Sequence, residues 1–236
     1  MLLLAFETTA KAGSVALHDG KTLLGESYCN TGLTHSQTLM VMAEDLLKTC
    51  GVAAQDVTAV AVAAGPGSFT GVRIGVAAAK GFAWGAQLPC YGVSTLEAMA
   101  LQLGAYEGFV LPVMDARRAQ VYNAIFKAEK GQLARLCEDR AISLEDLARE
   151  LKNLDGPIFL VGDGSNVCYN ALKGEISNLV MPSEHRMHQR AAGVALAALL
   201  HPENGDGAAL TPNYLRLSQA ERERMEMEQK AEEKKA

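Results

Sequence analysis

The chain has 236 residues, 49% of them hydrophobic and 21% charged, enough apolar material to bury one large domain or two small lobes. Lys and Arg number 22 against 27 Asp and Glu, and the formal charge of −5 does not suit a protein that holds nucleic acid alone, although a local basic patch stays compatible with it. No apolar run approaches the ~20 residues of a membrane span, and five scattered cysteines without a Cys-x-x-Cys pair indicate reduced thiols in a cytosol, not a disulfide framework or a zinc site.

Residues 1–6 are apolar but lack a basic n-region, and Glu7 closes the run too early for a signal peptide, so 2–6 reads as a buried strand. Segments 14–17 and 22–24 follow as a hairpin across Asp19-Gly20. Over 35–48, Leu39, Met42, Ala43, Leu46 and Leu47 recur at helical spacing until Gly51 stops the run. The β-branched alternation of 57–62 predicts a strand, broken by Gly65-Pro66-Gly67, and an alanine- and glycine-rich helix follows over 70–86. Another strand spans 89–93, and Ser94 caps a helix over 95–103. The pattern then restarts. An apolar strand over 110–114 ends on Asp115, and 121–126 pairs with 132–136 across Lys130-Gly131. Ser143, with Asp146 three residues on, caps a helix over 144–151. A strand at 158–161, a short helix at 167–172 and an alanine-rich helix at 188–200 complete the list.

Leu3-Leu4-Ala5-Phe6-Glu7 and Pro112-Val113-Met114-Asp115 thus open two similar units, each an apolar strand ending on an acid, a hairpin partner and a glycine turn into a third strand. This element order predicts two ribonuclease-H-like lobes, 1–104 and 105–217, facing each other. The competing reading is coincidence, since many α/β proteins begin with a hairpin. Beyond them, 218–236 is rich in Glu, Lys, Arg and Met and reads as a solvated helix or a fraying tail.

Three groups of residues carry candidate chemistry. The stretch from Gly65 to Gly75 is a glycine turn into a helix N-terminus, where Gly67, Ser68 and Gly71 could hold an anion. It is not a Walker A loop, and the competing reading is a tight turn with close helix packing through Gly71 and Gly75. Glu7 and Asp115, at the ends of the two opening strands, could hold Mg²⁺ beside a nucleotide, or each could cap a turn. His185 and His188 lack a third ligand and sit in a polar segment, while His35 suits a helix start. No Gly-x-Ser-x-Gly elbow occurs, which disfavours a hydrolase.

Five stretches then match in order: Leu4-Ala5-Phe6-Glu7-Thr8; Gly65 through Gly75; Gly92-Val93-Ser94-Thr95-Leu96-Glu97-Ala98; Val113-Met114-Asp115-Ala116-Arg117; and Pro212-Asn213-Tyr214-Leu215-Arg216. Together they resemble the TsaB (YeaZ) family over residues 1 to about 217, with Glu7 standing where that family usually has Asp. The resemblance implies an α/β, actin-like ATPase-domain (ASKHA) fold of two ribonuclease-H-like lobes. It also implies a cytoplasmic, non-catalytic subunit, without a cofactor or metal of its own. Such a subunit is required by TsaD, which transfers a threonylcarbamoyl group to the adenosine beside the anticodon of ANN-decoding tRNAs. TsaE, a small ATPase, joins the assembly, and tRNA is met only through the complex. TsaD carries a His-x-x-x-His metal motif whose two positions fall here on Thr95 and Met99, poor ligands for an iron or zinc site built on imidazole. Two rival readings are an actin-like ATPase or kinase using Glu7, Asp115 and the glycine loop, and an independent RNA-binding protein.

The helices over 35–48 and 70–86 carry more apolar girth than singly packed surface helices require. Leu39, Met42, Leu46, Val72, Ile74 and Val76 are therefore expected to form one exposed patch that docks TsaD or a second copy of the chain, against the reading that both helices lie inside the core.

Overall fold

The computed structural model describes residues 1–103 and 106–216; the charged segment 218–236 lies outside them. Its first unit contains β1 (Leu3–Glu7), β2 (Gly13–His18), β3 (Leu23–Cys29), α1 (His35–Thr49), β4 (Ala59–Gly65), α2 (Phe69–Ala86), β5 (Cys90–Ser94) and α3 (Thr95–Leu101). The sheet order is β3-β2-β1-β4-β5, with β1, β2 and β3 antiparallel and β4 and β5 parallel to β1.

The second unit contains β6 (Gly108–Arg117), β7 (Gln120–Asn123), β8 (Phe126–Glu129), β9 (Gln132–Arg135), β10 (Arg140–Ser143), α4 (Leu144–Leu151), β11 (Ile158–Val161), α5 (Ser165–Leu172), β12 (Leu179–Val180), α6 (Glu184–Met187) and α7 (Ala191–Leu200). Its sheet order, β10-β7-β6-β11-β12, repeats that of the first, with β8 and β9 added beside the start of β6. Among the described residues, no helix is long and apolar enough to cross a membrane.

Both central strands of the first sheet are buried throughout because both faces are covered. The alternation of side chains divides the labour. Leu4, Phe6, Val60 and Val62 point toward α1 and α2, while Leu3, Ala5, Ala61 and Ala63 point toward α7. Alanine on that second face matches Ala191, Ala195, Ala197 and Ala198 of α7, so helix and sheet approach closely.

α7 starts at Ala191, three residues later than the periodicity predicts. Its N-terminus is capped from a distance: Ala191 N donates to Ser14 Oγ at 2.7 Å and Ala192 N to Glu26 Oε1 at 3.1 Å. Glu26 also accepts from Arg190 Nε at 2.9 Å, so one carboxylate on β3 fixes the helix and the residue before it. No local sequence pattern announces such a cap.

Two further differences bear on the site. β6 does not end on Asp115 but runs to Arg117, through an irregularity opposite β7 where Arg117 pairs with Gln120. The expected strand 121–126 is two strands. β7 pairs with β6 and β10, whereas β8 pairs with β6 and with β9. Buried Asn123 ends β7, its Nδ2 donating to Pro112 O at 3.3 Å and Ala124 O at 2.7 Å, and the chain changes partners there.

Candidate functional site

The ends of β1, β4, β6 and β11 converge on a cleft of about 490 Å³ between the two sheets. Three of the five distinctive sequence stretches meet at it: the glycine turn, the end of β6 and the closing segment 212–216. The closing segment is held by Asn213 N donating to Ala64 O at 2.6 Å and by the Arg216 guanidinium on Ala116 O. Tyr214 packs on Phe69 with ring centroids 4.8 Å apart, and Arg73 stacks 3.8 Å over the Phe69 ring while its Nε donates to Tyr214 Oη at 2.8 Å.

The glycine turn is a clasp. Thr8 Oγ1 donates to Gly71 O at 2.8 Å, and Ser68 N donates to Thr9 O at 2.6 Å. A Cβ at Gly67 would stand 2.6 Å from Thr9 O, one at Gly71 2.1 Å from Thr8 O, and one at Gly75 2.3 Å from Thr8 Oγ1. These glycines let α2 lie against the β1–β2 turn. The amides an anion would need at Ser68, Gly71 and Val72 already have acceptors in Thr9 O, Ser68 Oγ and Ser68 O. The second glycine turn is filled in the same way: a Cβ at Gly162 would stand 2.2 Å from Val113 O, and Gly164 N donates to Val113 O at 3.1 Å. In both turns, part of the backbone that a phosphate would meet is thus already hydrogen-bonded within the chain.

The two acids are each engaged in a turn. Glu7 is 1% exposed, does not line the cleft, and spends Oε1 on Thr9 N and Thr9 Oγ1, both at 2.6 Å. Asp115 lines the cleft but accepts from Arg117 N at 2.8 Å and pairs with the Arg117 guanidinium at 3.3 Å. Each acid caps a turn, and among the described residues no cluster of His, Cys, Asp or Glu suits a metal ion. Asp163, after β11, is buried and accepts from Gln189 Nε2 at 3.0 Å; burial pushes its carboxyl above the ordinary range, against that hydrogen bond.

Burial pushes the Glu7 carboxyl from 4.5 up to about 7, with the Thr9 hydrogen bonds opposing and the Asp163 charge adding to the rise. The folded chain therefore keeps a proton that the unfolded chain has lost between those values, and stability falls as pH rises through that window. Glu7→Gln preserves the acceptor to Thr9 and removes the titration. We expect wild type to lose about 2–3 kcal/mol more than this variant between about pH 5 and pH 8 in urea titrations. Parallel pH profiles would show that Glu7 does not titrate in this window.

The patch expected on α1 and α2 needs correction residue by residue. Leu39, Leu46, Val72 and Val76 are buried in the core under the first sheet, and Met42 and Ile74 are half-buried against it. The outward apolar side chains are others: Met40 at 45% exposure, Val41 at 57%, and Trp84 at 87%. The helical spacing of Leu39, Met42, Ala43, Leu46 and Leu47 does mark the face that points in, while Met40 and Val41 stand outside that stripe.

Thr95 and Met99 of α3 are both fully buried. Met99 packs among Leu96, Leu103, Val110 and Val161, a hydrocarbon environment with no imidazole in it. His35 binds the β1–β2 turn through Nε2, 2.7 Å from Ala10 O, while His185 and His188 border a surface hollow with Tyr28 and Arg190.

The family model of TsaD, tRNA N6-adenosine threonylcarbamoyltransferase, matches residues 30–223. The chain is 32% identical over 221 residues to the tRNA threonylcarbamoyladenosine biosynthesis protein TsaB of Bacillus subtilis, covering 94% of this chain and 96% of that one. It is 38% identical over 168 residues to the protein of the same name from Escherichia coli, covering 70% and 72%. Among solved structures, YeaZ from Pseudomonas aeruginosa superposes with a TM-score of 0.74 at 28% identity, over 91% of this chain and 99% of that one. Component A of the Acidaminococcus fermentans (R)-2-hydroxyglutaryl-CoA dehydratase superposes at 0.50 with 10% identity over 86% of this chain and 99% of that one, a likeness of fold.

Proposed function

The chain belongs to the TsaB family, and from that premise we propose that it serves tRNA threonylcarbamoyladenosine biosynthesis in the cytoplasm as a non-catalytic subunit that docks and supports the transferase TsaD. The observation that carries the non-catalytic part is the burial of Thr95 and Met99. A threonine hydroxyl and a thioether in a hydrocarbon cluster cannot replace two imidazoles around iron or zinc. The glycine turns support the same reading, because the amides of Ser68, Gly71, Val72 and Gly164 are already hydrogen-bonded within the chain.

Docking through α1 and α2 belongs to this proposal, carried by Met40 and Val41 with half-buried Met42 and Ile74 beside them. TsaE joins through the transferase, tRNA is met within the assembly, and a second copy of the chain is the competing occupant of the α1–α2 face. The isolated chain should show neither threonylcarbamoyl transfer to tRNA nor peptidase turnover, and elemental analysis should find iron and zinc far below one per chain. Stoichiometric metal together with turnover would overturn the proposal.

A further inference from the structure

Four cations gather at the mouth of the interlobe cleft of a chain whose net charge is −5. Lys11 comes from the β1–β2 turn, Arg117 from the end of β6 and Arg216 from the closing segment, and all three line the cleft. Arg73 adjoins them, held in place by Phe69 and Tyr214. Lys11 and Arg73 are exposed, and the Arg117 side chain is 84% exposed. Two carboxylates share the cleft, yet neither cancels this charge. Asp115 meets Arg117 in a solvent-facing contact that a stronger anion can displace, and Asp163 is buried on Gln189.

The turn that presents Arg117 is itself informative. Arg117, Arg118 and Ala119 sit at φ of 66°, 55° and 56°, a left-handed run that a turn serving connection alone fills with Asn and Gly. Arginine is not what such a backbone asks for, so its side chain has another use. Tyrosines stand between the cations: Tyr122, half-buried on β7, and Tyr214, 41% exposed. Cations interleaved with aromatic rings around a cleft of about 490 Å³ suit phosphates and unstacked bases. An acidic protein segment would use the same charges but gives the tyrosines no comparable role.

We propose that this rim is a contact surface for a single-stranded stretch of the tRNA substrate, with phosphates on Lys11, Arg73 and Arg117 and an unpaired base on Tyr122 or Tyr214. The surface rests on the reading that the chain works inside a tRNA-modifying assembly, and it adds a direct contact to that reading. The test uses the assembled complex with TsaD and a Lys11→Gln/Arg117→Asn double variant, asparagine being tolerant of the left-handed backbone at 117. Binding of unmodified tRNA is measured at several salt concentrations. The slope of log affinity against log salt should become shallower by about 1.4, two phosphate contacts at roughly 0.7 each, with tRNA affinity several-fold weaker and TsaD affinity unchanged. Irradiation of the wild-type complex with tRNA should also crosslink peptides containing Tyr122 or Tyr214, a readout that does not depend on the variant folding. An unchanged slope, or crosslinks that all fall outside this cleft, would overturn the proposal. So would a variant that loses TsaD while each assembled complex binds tRNA normally, because the cleft would then be a protein dock. Modification that is independent of the wild-type chain is a separate result, visible before any variant is made, and it removes the functional reading and this surface together.

Discussion

Arginine at Val76 is expected to leave the chain unfolded at room temperature, whereas arginine at Val41 should leave the melt near that of wild type and abolish binding to TsaD. Val76 is 5% exposed in the cluster that joins α1 and α2 to the first sheet. A guanidinium there would enter a cluster of apolar side chains, and an unpaired buried charge costs several kcal/mol on top of the lost apolar packing. Against a total stability of about 5–15 kcal/mol, that is enough to unfold many domains of this size. Val41, one turn of reasoning away on paper, is 57% exposed on the outer side of α1. A charge there stays in water and acts only on whatever covers the helix. Circular dichroism melts and a titration against TsaD separate the two outcomes. A folded Val76→Arg chain would contradict the packing of α2, and a Val41→Arg chain that binds TsaD normally would remove α1 from the docking face.

Alanine at Gly71 should cost about 3 kcal/mol or more, because its Cβ would stand 2.1 Å from Thr8 O, a backbone atom that cannot swing aside. For a chain of this length that corresponds to a fall of roughly 6–12 °C in Tm. Gly81, ten residues on in the same helix, has nothing within 4 Å of a built Cβ. Alanine there should raise stability by about 0.5–1 kcal/mol through helix propensity alone. Opposite signs from the same substitution in one helix distinguish the clasp from a general intolerance of α2 to change. Equal, small effects at both positions would mean that the β1–β2 turn does not press on α2.

The elements most legible in the sequence are those whose signals are local. α4 and β11 occupy the residues their patterns indicate, the first because Ser143 Oγ accepts from Asp146 N at 3.0 Å, the second because four apolar residues lie between breakers. The duplicated unit was also legible from element order, since each sheet repeats the same strand sequence. What the sequence left open depended on residues far apart. The start of α7 is decided by Ser14 and Glu26 on strands more than 160 residues earlier. The packing role of Gly67, Gly71 and Gly75 depended on Thr8 and Thr9, whose atoms stand where Cβ atoms would lie. The inward face of α1 was legible as the stripe Leu39, Ala43, Leu46 and Leu47, but assigning Leu39 and Leu46 to an exposed patch set that stripe aside, and the apolar residues left in solvent are Met40 and Val41. The basic rim of the cleft assembles cations from four distant segments, so an acidic overall charge concealed it.

This chain is expected to enable a transferase without performing the transfer. Formation of threonylcarbamoyladenosine in tRNA should therefore be measured in a reconstituted mixture of threonylcarbamoyl-adenylate, TsaD and TsaE, with and without this chain, and with this chain in place of TsaD. The account predicts modification only when TsaD and the chain are both present, and none when the chain replaces TsaD. Full modification without the chain, or any turnover by the chain in place of TsaD, would contradict it.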